Sequence, residues 1–204
     1  MHNLELKVRC VDEAHLDQLI DAARAAGAIY TRTLMQRDTY FAAPRGRLKL
    51  REWHQPVPPG ATAGATTDAE ANTSGATLIA YARPDEAGSR LSDYLLSAVP
   101  EPATLLAALE RALGLRVVVA KHRLLYMWGH TRIHFDRVTA LGAFIELETL
   151  LDRFGTPDAG SDPGGAGQRA AEAEHQRVIA ALGLDTLPAI AGSYSDLLLE
   201  TPEK

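Results

Sequence analysis

Segments in which charged and aliphatic side chains strictly alternate recur along this chain. In residues 3–10, for example, Leu4, Leu6 and Val8 alternate with polar residues. Because successive side chains of a strand point to opposite faces, the pattern predicts strands with one apolar and one charged face. Eight strands are predicted, near residues 3–10, 37–42, 46–53, 77–83, 92–99, 116–128, 131–138 and 143–150.

Helical spacing of apolar residues separates some of these strands. Helices are predicted over residues 12–26, 102–113 and 168–182, with a short one over 193–200. Two segments lack any periodicity and are predicted to be flexible loops. They are residues 55–76, rich in Pro, Gly, Ala and Thr, and the glycine-rich residues 155–167. Since the strand pattern resumes after the first loop, residues 1–204 are predicted to form a single domain.

Composition and charge exclude several classes of protein. The 204 residues carry 21 Lys and Arg against 26 Asp and Glu, a net charge of −5, whereas generic nucleic-acid binders are usually basic. The single cysteine, Cys10, rules out an intramolecular disulfide and argues against a cysteine-based zinc site. The N-terminal residues carry charges at once, and no apolar run approaches 18 residues. We therefore expect no signal peptide, no membrane span and a cytoplasmic location.

The charges are sorted by strand. The polar face of 46–53 is basic, whereas that of 143–150 is acidic. A half-exposed antiparallel sheet would also place its charges in solvent, and any one of these strands alone fits that interpretation. The sorting over the whole set favours an α+β fold. In that fold an eight-stranded antiparallel β-barrel is covered by helices on its outside and has the charged faces in its lumen.

Such a lumen would contain nine basic and five acidic side chains. The basic ones are Lys7, Arg9, Arg47, Lys49, Arg51, Arg83, Lys121, Arg123 and Arg132, and the acidic ones are Glu5, Asp38, Asp136, Glu146 and Glu148. Like charges about 5 Å apart repel by roughly 3 kcal/mol at an effective dielectric constant near 20. We therefore expect an empty lumen to be destabilised, and expect neutralised carboxylates to leave stability equal or higher. A metal-bound polyphosphate suits both sets of charges.

An ordered set of short motifs runs along the chain. They are Asn-Leu-Glu-Leu-Lys at 3–7, Asp-Thr-Tyr-Phe at 38–41, Gly-Arg-Leu-Lys-Leu-Arg at 46–51, Lys-His-Arg at 121–123 with Tyr126, Asp136 with Leu-Gly-Ala-Phe at 141–144, Glu-Leu-Glu at 146–148, and the tail 192–198. The set resembles the CYTH superfamily, the triphosphate tunnel metalloenzymes, over residues 2 to about 199. The resemblance implies an eight-stranded tunnel that binds a triphosphate together with Mg²⁺ or Mn²⁺.

The resemblance also implies roles for individual residues. Implied metal ligands are Glu5, Asp136, Glu146 and Glu148. Implied triphosphate-binding residues are Lys7, Arg9, Arg47, Lys49, Arg51, Arg83, Lys121 and Arg123, and implied catalytic residues are Lys7, Tyr40 and Arg83. The expected partner is tripolyphosphate, thiamine triphosphate or a nucleoside triphosphate, with no nucleic acid and no membrane. The oligomeric state is left open, with a homodimer as one option.

Two positions depart from the family pattern. Asn3 stands where the signature has its first Glu, and no lysine lies between Lys49 and Lys121, although the family's triphosphatases tend to carry one on the strand that here holds Tyr81 and Arg83. His134 is interpreted as a packed lumen residue rather than a ligand.

Three functions fit the resemblance. The expected one is metal-dependent hydrolysis of a triphosphate. The alternatives are a class IV adenylate cyclase, which converts ATP to cyclic AMP and pyrophosphate, and a non-catalytic polyphosphate- or nucleotide-binding module, which the two departures mildly favour.

Overall fold

The computed structural model describes residues 2–56, 74–82, 90–153 and 165–200. The strands within them are β1 (His2–Arg9), β2 (Ile29–Phe41), β3 (Arg47–His54), β4 (Ser74–Ala82), β5 (Arg90–Ala98), β6 (Leu115–Trp128), β7 (Thr131–Val138) and β8 (Gly142–Leu150). The α-helices are α1 (Glu13–Ala25), α2 (Pro102–Leu113), α3 (Ala166–Leu182) and α4 (Tyr194–Glu200). One-turn 3₁₀ helices follow β8 and α3, at Leu151–Arg153 and Leu184–Thr186.

The eight strands form a closed antiparallel ring in the order β1-β5-β4-β3-β2-β6-β7-β8. The ring closes because β1 pairs with β5 on one side and with β8 on the other. The predicted α+β barrel fold is therefore confirmed.

The main apolar core lies outside the barrel. Apolar residues of β1, β7 and β8, among them Val8 and Ile145, pack against one face of α1 and of α3. Leu16 of α1 and Val178 of α3 are fully buried in this core. Because the helices cover the apolar faces of these strands, the opposite faces are free to carry charged side chains in the lumen.

The C-terminal helix α4 packs against β6 and contributes to a second apolar cluster. Tyr194, its first residue, contacts the ring of Phe144 at 5.0 Å between centroids. None of the helices in the described ranges is both long and apolar enough to span a membrane.

The predicted boundaries differ from the structure mainly at β2. That strand begins at Ile29 instead of residue 37, because residues 29–32 are exposed on both faces and show no alternation. The predicted loop over 55–76 overlaps β4, which begins at Ser74, and α3 begins at Ala166, within the predicted glycine-rich loop. Residues 57–73 and 154–164 lie outside the described residues.

Candidate functional site

The barrel encloses a cavity of about 140 Å³ whose wall carries most of the predicted site residues. The residues lining it are Asn3, Lys7, Asp38, Tyr40, Lys49, Arg51, Ile79, Tyr81, Tyr94, Leu96, Lys121, Arg123, Arg132, Glu146, Glu148, Ser193 and Tyr194. They come from all eight strands and from the start of α4. The charged faces of the strands therefore converge on one lumen.

Three cations surround Asp38, which is 1% exposed. Arg51 donates from Nε to Oδ1 and from Nη2 to Oδ2, both at 2.7 Å, and Lys49 Nζ donates to Oδ2 at 2.9 Å. Lys121 Nζ lies 3.8 Å from the same oxygen. Burial alone raises the pKa of the Asp38 carboxyl, but the charges of Arg51, Lys49 and Lys121 outweigh it and hold that pKa well below its usual range. Asp38 is therefore ionised and holds together three neighbouring cations, Lys49, Arg51 and Lys121, which we call the basic wall.

A second ion-pair cluster joins β6, β7 and β8. Arg123 binds both oxygens of Asp136 at 2.6 Å and Glu146 Oε2 at 2.7 Å. The Tyr194 hydroxyl donates to Asp136 Oδ2 at 2.9 Å, so α4 contributes directly to this cluster. Burial raises the pKa of Asp136, but Arg123 and then Lys121 outweigh that effect and lower it.

Glu146 and Glu148 lie on the acidic side of the lumen. Lys7 Nζ is 3.2 Å from Glu146 Oε1, and Arg132 Nη1 is 3.4 Å from Glu148 Oε2. Burial raises the pKa of Glu146, but Lys7 in particular outweighs it and lowers that pKa well below its usual range. Both carboxylates are therefore charged and can serve as ligands for a hard divalent cation.

His134 lies beside this carboxylate pair. A ring nitrogen of His134 and one oxygen each from Glu146 and Glu148 all lie within 4.8 Å of one another, so these three residues could hold a metal ion. Burial, followed by the charge of Arg123, lowers the pKa of His134. The ring is therefore neutral near pH 7, the form in which histidine binds metals.

Two predicted metal ligands lie apart from this group. Glu5, opposite Glu148 across the β1–β8 pairing, accepts a hydrogen bond from the Tyr94 hydroxyl. Asp136 is held by Arg123 and Tyr194. Both stay predictions as metal ligands.

The predicted basic residues do not all line the cavity. The Arg9 guanidinium lies over the Phe144 ring, 4.6 Å from its centroid, and Arg47 binds Asp196 of α4 at 2.8 Å. Arg83 lies outside the described residues. Tyr40 does line the lumen, with its hydroxyl 3.3 Å from Lys49 Nζ.

Opposite charges are paired in the lumen, whereas the expectation from the sequence considered only repulsion between like charges. Three pairs are direct neighbours across strand pairings: Asp38 with Arg51, Asp136 with Arg123, and Glu146 with Lys7. Each pair is also an ion pair of 3.2 Å or less. The count of like charges therefore left these three ion pairs out, and the destabilisation of an empty lumen stays a prediction.

The wall formed by β4 and β5 has a different character. Among the side chains described on these strands, those lining the cavity are Ile79, Tyr81, Tyr94 and Leu96. The Tyr81 and Tyr94 rings lie 5.7 Å apart. The site is therefore basic and acidic on one side and aromatic on the other. This wall includes the strand with Tyr81, on which the family's triphosphatases tend to carry a lysine and this chain does not.

Sequence reasoning counted Arg132 among the basic lumen residues but assigned no role at the site to Tyr94 or Tyr194. Arg132 and His134 were both predicted to lie in the lumen, because they alternate with Asp136 along β7. Tyr194 belongs to the tail motif 192–198, but its place in the lumen was not predicted, because only tertiary packing brings α4 there. The Tyr194 ring lies 4.2 Å from Lys7 Nζ and 5.1 Å from Lys121 Nζ.

Lys121 gives the site a pH dependence. Burial, reinforced by the charges of Arg123 and Arg51, lowers the pKa of its ammonium from 10.5 to about 7. Between about pH 7 and pH 10 the unfolded chain therefore binds a proton that the folded protein has released, so this residue makes stability rise with pH.

We expect Lys121→Met to remove the contribution of Lys121 to the increase of stability with pH. The free energy of unfolding, measured in urea at pH 7 and pH 9.5, should increase more for the wild type than for the variant. Groups common to both proteins cancel in the comparison. Equal increases would mean that Lys121 keeps an ordinary pKa.

Comparison with known proteins agrees with this architecture. A family model described as the CYTH domain matches residues 1–160. The chain belongs to the CYTH family. No curated protein sequence matches it.

Several solved structures share the CYTH fold of this chain. The PH1012 protein from Pyrococcus horikoshii OT3 has a TM-score of 0.69 at 18% identity, covering 96% of this chain and 98% of that one. A conserved hypothetical protein from Pyrococcus furiosus has a TM-score of 0.68 at 17% identity, covering 96% and 99%. A protein from Vibrio parahaemolyticus described as a putative adenylate cyclase has a TM-score of 0.61 at 13% identity, covering 98% of each chain. At these identities the likeness shows the fold alone.

CYTH membership supports, in general terms, a metal-dependent enzyme that processes triphosphates in a tunnel. It does not by itself select one reaction.

Proposed function

We propose that this CYTH protein hydrolyses a triphosphate in a metal-dependent reaction inside the barrel. One observation carries the proposal. A single cavity is lined both by basic side chains of β3 and β6 and by the carboxylate pair Glu146 and Glu148 of β8. The basic side chains can bind a polyanion, and the carboxylates can bind its divalent counter-ion.

The basic side chains would bind and orient the phosphates. Arg51 and Arg123 offer planar guanidinium donors that match phosphate oxygens in pairs, and Lys7, Lys49 and Lys121 add point charges. In the ligand-free protein carboxylates neutralise these cations, so phosphate oxygens would take the places of carboxylate oxygens. Because phosphoryl transfer is catalysed largely by positioning and charge stabilisation, this arrangement suits the reaction.

The residues beside Glu146 and Glu148 fit a divalent metal ion. Their donor atoms lie close enough to share one ion, and His134 Nδ1 is directed toward both carboxylates. A bound Mg²⁺ or Mn²⁺ would polarise phosphate oxygens and neutralise charge on the transferred group. Lys7, Tyr40 and Arg83 stay the predicted catalytic residues, and Glu5 and Asp136 stay predicted metal ligands.

A second candidate function is the cyclisation of ATP to cyclic AMP and pyrophosphate. The aromatic wall of Tyr81 and Tyr94 favours it, because a base or another organic group attached to the triphosphate could pack there. The same wall would suit hydrolysis of thiamine triphosphate.

The decisive experiment offers tripolyphosphate, thiamine triphosphate and ATP, each with Mg²⁺ or Mn²⁺, and measures both phosphate and cyclic AMP. We expect phosphate release. Cyclic AMP without phosphate would favour the cyclase, and binding with neither product would favour a binding module.

Ligand binding should also be visible without turnover. At 100 times its dissociation constant, a ligand that binds only the folded state stabilises it by about 2.7 kcal/mol. For a chain of this size we expect tripolyphosphate to raise the melting temperature by about 5 °C. Monophosphate at equal ionic strength should raise it much less, because it cannot span cations on several strands.

A pair of variants on neighbouring strands controls this thermal shift. Lys49→Ala removes a lumen cation and should reduce the response to tripolyphosphate. Arg37→Ala removes an exposed cation from the outer face of the barrel, where Arg37 pairs with Glu52 at 3.4 Å, and should respond like the wild type. Equal responses of both variants would argue against phosphate binding in the lumen.

A further inference from the structure

His134 occupies a position that hydrogen bonding does not explain. It lies on β7 directly opposite Glu146 of β8, and it is only 4% exposed. Among the residues that the structure describes, its Nδ1 has no hydrogen-bond partner. That atom lies 3.8 Å from Glu146 Oε2 and 3.7 Å from Glu148 Oε1, beyond the range of about 2.7–3.2 Å for a hydrogen bond to oxygen. A buried polar atom left without a partner costs about 1–3 kcal/mol, so its presence calls for an explanation.

The surrounding side chains fix the two carboxylates around this nitrogen. Lys7 lies on Oε1 of Glu146 and Arg123 on its Oε2, at 3.2 and 2.7 Å. Arg132 lies on Oε2 of Glu148, which leaves Oε1 as the oxygen nearer His134. The ion pairs with Lys7, Arg123 and Arg132 therefore hold the two carboxylates beside the imidazole.

The spacing suits coordination better than hydrogen bonding. Two ligand atoms that are each about 2.1 Å from a shared zinc-sized ion can lie up to about 4.2 Å apart. Both separations between His134 Nδ1 and the carboxylate oxygens fall within that limit. An ion between these three side chains would give the unpartnered nitrogen its partner.

We propose that His134 is a nitrogen ligand in the metal site with Glu146 and Glu148, and that it shifts the preference of this site from Mg²⁺ toward transition ions such as Mn²⁺ and Co²⁺. Mg²⁺ favours oxygen ligands and retains its waters, whereas imidazole suits first-row transition metals. The inference rests on the metal site of the proposed function, but its test requires no substrate and no turnover.

Pulsed electron paramagnetic resonance of the Mn²⁺-loaded protein tests the ligand directly. A coordinated imidazole couples its ¹⁴N nucleus to the Mn²⁺ electron spin. We expect this coupling in the wild type and its loss in His134→Gln. His122→Gln is the matched control, because His122 lies on β6 between Lys121 and Arg123 and therefore on the opposite face of the strand. It should retain the coupling.

Calorimetric titrations with Co²⁺ and Mg²⁺ test the preference. His134→Gln should weaken Co²⁺ binding by about tenfold or more and Mg²⁺ binding by less than about threefold, because only the transition ion depends on the nitrogen. His122→Gln should bind both ions like the wild type. Equal losses for the two ions, or no loss for Co²⁺, would overturn the proposed preference.

The wild-type spectrum alone also decides the question if His134→Gln fails to fold. Absence of ¹⁴N coupling in Mn²⁺-loaded wild type would overturn the ligand assignment even if the protein hydrolyses triphosphates. Conversely, clear coupling in a protein that hydrolyses none of the panel would support the ligand assignment and contradict the proposed function.

Discussion

Replacing Asp38 with Asn should destabilise the ligand-free protein by about 3 kcal/mol or more, because it leaves buried cations without their anion. Asp38 is the shared partner of Lys49 and Arg51, and Lys121 lies 3.8 Å from it. The amide keeps the shape of the carboxyl group but not its charge. At about 2 °C per kcal/mol for a protein of this size, the melting temperature should fall by about 6 °C or more, measured by circular dichroism.

The loss should depend on pH in a specific direction. The pKa of Asp38 is lowered in the folded protein, so its contribution is present above the unfolded value of about 3.9 and is lost as the pH falls toward the folded value. The difference in stability between wild type and Asp38→Asn should therefore be full at pH 7 and shrink below about pH 4.

Tripolyphosphate and a surface variant control this prediction. The polyanion should stabilise Asp38→Asn more than it stabilises the wild type, because it supplies the missing negative charge. Glu52→Gln, which removes one partner of the exposed pair with Arg37, should change stability by no more than about 1 kcal/mol. If Asp38→Asn were as stable as wild type at neutral pH, the ion pairs around Asp38 would not hold the basic wall together.

The sequence predicted the barrel well because its signal is local. Alternation in β1, β3 and β8 reports directly which side chains share a face, and all eight strands were found. The exposed start of β2 was missed because it has no buried face to impose alternation.

The pairing of opposite charges across the strands could not be predicted from a single sequence. Asp38 faces Arg51, and Lys7 faces Glu146, only because of the register in which their strands align. A strand pattern fixes the face of a side chain but not its neighbour across the sheet. Counting charges therefore predicted repulsion where the structure forms ion pairs. The ion pair of Arg47 with Asp196 likewise depends on tertiary packing, because it requires α4 to lie beside β3.

The largest effect on activity should come from Glu146→Gln combined with Glu148→Gln. Both carboxylates belong to the proposed metal site, and a site without their charge should bind a divalent cation far more weakly. A loss of about 3 kcal/mol of transition-state stabilisation lowers the rate by roughly 100-fold. We expect triphosphate hydrolysis at saturating substrate and fixed Mn²⁺ to fall by at least that factor.

The same double variant separates charge repulsion from ion pairing in the lumen. Repulsion between the carboxylates would make their neutralisation stabilising, whereas the contacts of Glu146 with Lys7 and Arg123 predict a loss. We expect the ligand-free melting temperature to fall, with the protein still folded, while the exposed control Glu172→Gln on α3 keeps both stability and rate. A folded double variant that hydrolyses triphosphate at the wild-type rate would mean that catalysis does not depend on this carboxylate pair. An increase in its melting temperature would show that repulsion outweighs the two ion pairs.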